Sequence, residues 1–223
     1  MSKKSTPEEK LFSKLNHDLR GSFVSILGYS GILSDPTEET TENEIKEFVS
    51  RIDFRTKETF ELLESFTNWL KLEHYPKSIS KEKINLLESV TSIQSLFQNE
   101  FIKKKVDVNI NFAELIIISF DVQMISSLLK NLFSFINKSI IEKSNLNISA
   151  VNFENNAILK FAFTLQLSEK EILPLTKLRE NEIVFTNVPN EILFAKKFVE
   201  LSGGSFELNV LDENEIVIEI VLP

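Results

Sequence analysis

A chain of 223 residues allows one domain of ordinary size or two small ones. Its 42% hydrophobic and 26% charged residues are those of a soluble globular protein, and a formal charge of -8 argues against a nucleic-acid binder, which shows a basic face. The absence of cysteine excludes disulfides and thiolate metal sites and suits a reducing cytoplasm, the expected location; no apolar run approaches the ~18 residues of a membrane span.

Met1 to Ser5 leads into a charged segment, not an apolar core, so no signal peptide is expected. Thr6-Pro7-Glu8-Glu9 then offers an N-cap threonine, a proline at the first helical position and a capping-box glutamate. The helix predicted from there carries an apolar stripe of Phe12, Leu15, Leu19, Phe23, Ile26 and Leu33. At about 100° per residue, His17 lies about 160° from Leu19 and is predicted to face away from the stripe. Ser34-Asp35-Pro36 breaks the pattern, and a second capping box, Thr41 to Glu44, starts the next helix. That helix shows Ile45, Phe48, Val49, Ile52, Leu63, Phe66 and Leu70 on one side. Two antiparallel helices cannot enclose a core, so the stripes predict a homodimer, with a four-helix bundle formed by two hairpins.

His74-Tyr75-Pro76-Lys77-Ser78 reads as a linker, since proline disfavours helix continuation. Beyond it the pattern becomes mixed. A helix is predicted over 86–104, a strand over 106–112 and a buried strand over 116–120. Asp121 is placed to cap a helix running to about Ile141. Alternation over 148–167 around Asn155-Asn156 predicts a hairpin. A helix over 190–201 is predicted to end at Ser202-Gly203-Gly204, and a last hairpin to turn near Asp212-Glu213-Asn214. The fold class is therefore α+β, with domains over 1–75 and 80–223.

The segment Phe12-Ser13-Lys14-Leu15-Asn16-His17-Asp18-Leu19-Arg20-Gly21-Ser22, continuing through Ile26, Gly28 and Tyr29, resembles the phosphoacceptor helix of sensor histidine kinases, F-x-x-x-x-H-[ED]-L-R-[TN]-P-L-x-x-I-x-G-[YF]. Other segments resemble the same family in the same order. Leu62-Leu63-Glu64-Ser65-Phe66-Thr67-Asn68-Trp69 is similar to L-L-x-x-L-L-x-W on its second helix. Phe120-Asp121-Val122-Gln123 and Leu128-Leu129-Lys130-Asn131-Leu132 are similar to the approach to its N-box. Ala195 to Gly204 is similar to A-x-x-[IL]-[VA]-x-x-[HM]-G-G, and Ile218 to Pro223 to the closing strand. The resemblance implies a dimeric phosphoacceptor hairpin followed by a Bergerat-type ATP-binding α/β sandwich.

The departures fall on the ATP site. The family's N-L-x-x-N-A is here Asn131-Leu132-Phe133-Ser134-Phe135-Ile136, so Phe135 stands where the asparagine that binds Mg²⁺ belongs. The box D-x-G-x-G is replaced by Phe163-Thr164-Leu165-Gln166-Leu167-Ser168. The G-x-G-L-G-L loop is replaced by Asn187-Val188-Pro189-Asn190-Glu191-Ile192-Leu193, which has no glycine to cradle phosphates. The segment between these boxes is short for an ATP lid. The expected sandwich is thus degenerate, with no cofactor or metal bound by the chain itself.

The resemblance implies that His17 is the phosphoacceptor and that Asp18 hydrogen-bonds its imidazole and assists as base. A neutral imidazole is nucleophilic, and its ordinary pKa of about 6.5 leaves it largely neutral near pH 7. Arg20, Gly21 and Val24 share the exposed face with His17 and are expected to meet the partner. Gly21 stands where the family places a threonine or asparagine that positions water for dephosphorylating the partner, and Ser22 replaces the proline linked to a helix bend. The expected partner is a response-regulator receiver domain, which would supply Mg²⁺, with a sensor or hybrid histidine kinase upstream. With the phosphoacceptor helix expected at the start of the sequence, input is expected through a partner protein. The expected function is histidine phosphotransfer in a two-component phosphorelay, without ATP, on the lines of the sporulation and cell-cycle relay phosphotransferases. The alternatives are a non-catalytic pseudokinase scaffold that binds a regulator or kinase, and, last, a kinase with an unorthodox nucleotide site. Plainer roles suit the remaining residues: helix capping for His74, core for Trp69 and the phenylalanines, helix packing for Asn131, and a solvated helix end for Lys103-Lys104-Lys105.

Overall fold

The computed structural model describes residues 7–35, 40–74, 79–165, 174–175, 188–211 and 214–223. Thr6 of the first cap, Pro36, linker residues 75–78, residues 166–168 and 187 of the ATP-site boxes and Asp212-Glu213 lie outside the described residues. In chain order the elements are α1 (Pro7–Ser34), α2 (Glu42–His74), β1 (Lys81–Asn85), α3 (Leu86–Leu96), α4 (Gln98–Lys104), β2 (Asp107–Phe112), β3 (Ile117–Asp121), α5 (Val122–Ser139), β4 (Asn145–Phe153), β5 (Asn156–Thr164), α6 (Asn190–Ser202), β6 (Ser205–Val210) and β7 (Glu215–Leu222). They form two compact units, Met1–Phe66 and Thr67–Pro223.

The first unit is the hairpin. The predicted capping box opens α2: the Thr41 amide and hydroxyl donate to the Glu44 carboxylate at 2.9 and 2.7 Å, and the Glu44 amide donates back to Thr41 Oγ1 at 3.3 Å. Those bonds hold the Glu44 carboxyl below its usual range. Rings join the two helices, Phe12 edge-on to Phe66 at 5.6 Å and Tyr29 stacked on Phe48 at 5.4 Å. Such aromatic pairs are worth about 0.5–1.5 kcal/mol beyond the area they bury. Of the apolar stripe expected on α1, Leu15 is buried, as is Leu11 outside it, whereas Phe12 and Phe23 remain half exposed. On α2, Ile45, Val49, Phe60 and Leu63 are also exposed. Both helices therefore keep an apolar seam that is left uncovered.

The second unit has a five-stranded sheet in the order β2-β4-β5-β7-β6. β2 pairs with β4 in parallel, and the other neighbours are antiparallel. β1 and β3 form a separate antiparallel pair. Alternation decides which face is covered: Leu159, Phe161 and Phe163 of β5 and Ile216, Ile218 and Ile220 of β7 are buried, and their neighbours along each strand are less so. α5 meets that face through Phe133 on Phe161 and Phe135 on Phe163. The Asp121 carboxylate accepts from the Gln123 and Met124 amides at 2.9 and 3.0 Å, the predicted N-cap of α5, a feature worth about 1 kcal/mol.

Three expectations are corrected here. The helix expected over 86–104 is two helices, α3 and α4, broken at Phe97, whose φ of -102° and ψ of 3° leave the helical region. The ring of Phe97 stacks on Phe133 at 5.8 Å, so tertiary packing sets the break. The hairpin turn is Glu154-Asn155, one residue earlier than expected, because Phe153 pairs with Asn156; Glu154 takes the positive φ of 55°. Lys104 is not simply solvated: it is half-buried and its ammonium donates to the Asn137 carbonyl near the end of α5. Gly203 and Gly204 end α6 as expected. Gly203 caps the helix at φ 87°, and a Cβ on Gly204 would lie 2.2 Å from the Val221 carbonyl oxygen.

Candidate functional site

α1 runs unbroken through Gly21-Ser22, so neither the glycine nor the missing proline interrupts it. That continuity puts residues three, four and seven apart on one face. His17, Arg20, Gly21 and Val24 accordingly form an exposed stripe, with Val24 64% exposed and the His17 side chain 87% exposed. The histidine is open to a second protein, as its spacing from Leu19 predicted. A Cβ on Gly21 would meet nothing within 4 Å, so the position has room for a side chain that is not there. Beside the imidazole lies a shallow, open groove of about 540 Å³, lined by Glu9, Phe12, Ser13, Asn16, His17 and Arg20.

Asp18 is half-buried and turned toward its neighbour. Its Oδ1 lies 3.2 Å from His17 Nδ1, the one hydrogen-bond partner of that imidazole among the described residues. A carboxylate only accepts, so this bond requires the ring proton on Nδ1, and in the neutral ring that leaves the lone pair on Nε2. The second carboxylate oxygen, Oδ2, takes the Lys14 ammonium at 2.6 Å, with the lysine side chain only 9% exposed. Lys14 escaped the sequence reading. Its only signal was a Lys-x-x-x-Asp spacing, which most surface helices show somewhere.

In the second unit, the residues aligned with the metal-binding box are core. Phe135 is 2% exposed and packs edge-on against Phe163 at 6.3 Å. Phe133, two residues earlier, meets Phe161 edge-on at 5.8 Å and Phe101 at 6.3 Å. Asn131 is buried on α5, and its Nδ2 donates back one turn to the Ser127 carbonyl at 2.8 Å. Val188, Ile192 and Leu193, where a phosphate loop would lie, are buried as well. Trp69 and Leu72, on the last turns of α2, are buried too; between and before them Lys71 donates to Gln123 and Asn68 to Ser127.

No protein-family model matches the chain, and no curated protein matches it in sequence. Solved structures do match in shape. The Acinetobacter baumannii histidine kinase AdeS superposes with a TM-score of 0.70 at 14% identity, covering 92% of this chain and 96% of that one. The histidine kinase ThkA, in its complex with the response regulator TrrA, superposes with a TM-score of 0.69 at 17% identity. That match covers 95% of this chain and 60% of ThkA. Full-length ShkA in complex with AMPPNP gives 0.61 at 12% identity, covering 98% of this chain and 46% of ShkA. The fold is that of a sensor histidine kinase core. Within this kinase-core fold the match spans both the helical hairpin and the α/β unit. No helix among the described residues is long and apolar enough to cross a membrane.

Proposed function

We propose that the chain is a dimeric histidine phosphotransfer protein of a two-component phosphorelay, exchanging a phosphoryl group between His17 and the aspartate of a response-regulator receiver domain without using ATP. The observation that carries this reading is the contrast between an open, oriented His17 and a buried Phe135. Neutral Nε2 attacks the phosphorus of the receiver's aspartyl phosphate. The P–O bond to the aspartate breaks, its electron pair returns to the receiver's carboxylate, and the Nδ1 proton stays on the ring beside Asp18. Catalysis of such transfer is mostly positioning and charge stabilisation, so it can rest on the receiver's Mg²⁺. Phe135 supplies no oxygen for a hard cation, and its ring is engaged with Phe163. That ThkA was captured with a response regulator supports a receiver as partner. Arg20, Gly21 and Val24 would form the docking face around His17. The uncovered seam of Phe12, Phe23, Val49 and Leu63 supports a homodimer, since an apolar stripe of that length calls for a partner.

The test is to incubate the protein with a labelled, phosphorylated receiver from the same cell. Acid-labile, base-stable label should appear on the protein and vanish in His17→Ala, which should stay dimeric because an exposed side chain contributes little to the fold. A receiver that binds wild type and His17→Ala alike and labels neither would select the pseudokinase scaffold instead.

A further inference from the structure

We infer that Lys14 is a positioning residue for His17. Resting on the phosphotransfer reading above, its role is to hold Asp18 as an oriented, ionised carboxylate that keeps the imidazole proton on Nδ1. Among the partners of Asp18 are Lys14 and His17, and these two are not equal. The Lys14 ammonium lies 2.6 Å from Oδ2, a charge-assisted distance, and the His17 ring lies 3.2 Å from Oδ1. The shorter bond is the anchor. Lys14 is nine-tenths covered, so its ammonium has less water to turn to, whereas the imidazole is 87% exposed and has Asp18 as its one hydrogen-bond partner among the described residues. An exposed lysine–aspartate pair holds little, because two long chains wander in water. Here one partner is covered and the geometry is fixed from that side.

Two consequences follow for the chemistry. With Oδ2 tied to Lys14, Oδ1 is left facing Nδ1, and the ring is held with Nε2 outward. Facing Nδ1, the Asp18 carboxylate accepts its hydrogen bond, and the proton stays on the ring. During transfer Nε2 gains a bond to phosphorus and Nδ1 keeps its hydrogen. The ring becomes a phosphoimidazolium whose positive charge lies against Asp18. The reverse step returns the N–P electron pair to Nε2. No proton moves in either direction, which suits a relay that must run both ways.

The experiment uses the full-length chain, ¹⁵N-labelled on histidine, and potassium phosphoramidate as a partner-free phosphoryl donor whose leaving group is ammonia. In wild type, ¹⁵N spectra should show the His17 proton on Nδ1, and ³¹P spectra should show the phosphoryl group on Nε2. Lys14→Met should let the Nε2–H tautomer appear and slow phosphorylation about tenfold, the scale at which a residue that orients another acts. Lys14→Arg keeps a cation for the carboxylate and should restore both signals. An unchanged tautomer and rate in Lys14→Met, with a wild-type melting curve, overturns the role of Lys14. So does a loss of rate that Lys14→Arg does not rescue. The same wild-type sample is offered a phosphorylated receiver in parallel. Failure there counts against the phosphotransfer reading alone, because the phosphoramidate and ¹⁵N signals involve no partner.

Discussion

The two units have kept different things. On α1 the residues proposed for phosphotransfer are at the surface: His17 is 87% exposed, Gly21 has empty space around it, and an apolar seam is left open. In the second unit the positions that match the family's ATP boxes lie inside, with Phe135, Ile192 and Leu193 buried and aromatic rings in edge contact. A surface histidine can be retained at almost no cost to folding. A nucleotide cleft needs glycine, polar groups and open volume, all of which weaken a core, whereas the apolar side chains at these positions add to the core of the second unit. The hairpin therefore carries chemistry in this account, and the α/β unit carries stability.

The largest effects should come from opening that core. Phe135→Asn returns the family's amide but removes a fully buried ring. We expect a loss of about 3–5 kcal/mol in urea unfolding of the second unit, and no gain in Mg-ATP affinity by calorimetry. Gly204→Ala should cost at least as much, since its Cβ would meet the Val221 carbonyl oxygen at 2.2 Å and backbone cannot step aside cheaply. Neither variant should change the helicity of the hairpin, if the two units are as distinct as their cores suggest.

The next effect concerns the uncovered seam. Leu19→Glu or Phe23→Glu should convert the dimer to monomer or aggregate in sedimentation velocity, because a charge enclosed in an apolar interface lacks a partner. Wild-type protein that sediments as a well-folded monomer at micromolar concentration contradicts the bundle. A smaller and more specific change is Gly21→Thr. The helix has room for the side chain, so the fold should be retained, with a slightly better helix former in place of glycine. Wild type should hydrolyse a phosphorylated receiver poorly, and Gly21→Thr should release free phosphate faster from the same receiver.

The smallest effect lies at the start of α2. Hydrogen bonds from the Thr41 hydroxyl and amide hold the Glu44 carboxyl below the usual carboxylate range. A carboxylate with a depressed folded value contributes stability above its unfolded value, and that contribution is lost as pH falls through the lower folded value. Glu44→Gln keeps the capping geometry without the titration. Its urea midpoint should therefore fall less than that of wild type on acidification below pH 4.5, while phosphotransfer stays unchanged.

What the sequence disclosed follows from how local each signal is. The Thr41–Glu44 box, the Asp121 cap and the Gly203-Gly204 stop are written within four residues, and each stands where it was expected. β1 was invisible, because Lys81-Glu82-Lys83-Ile84-Asn85 has one apolar residue and pairs with β3 across the whole of α3, α4 and β2. The break at Phe97 carries no glycine or proline; it exists because a ring stacks on Phe133. The parallel pairing of β2 with β4 is likewise a long-range choice. At the site, exposure of His17 and the shared face of Arg20, Gly21 and Val24 came from helix geometry alone. The Lys14–Asp18 bond did not, since spacing fixes which side chains are close and not which of them is covered.

The contrast between the units is tested most directly by offering one sample two phosphoryl donors. Wild-type protein is incubated with labelled Mg-ATP alone and, separately, with a labelled phosphorylated receiver, and label on His17 is followed in each. The account predicts label from the receiver, none from ATP, and none from either in His17→Ala. Label reaching His17 from ATP with no other protein present, or a receiver that binds tightly and never transfers, would contradict it.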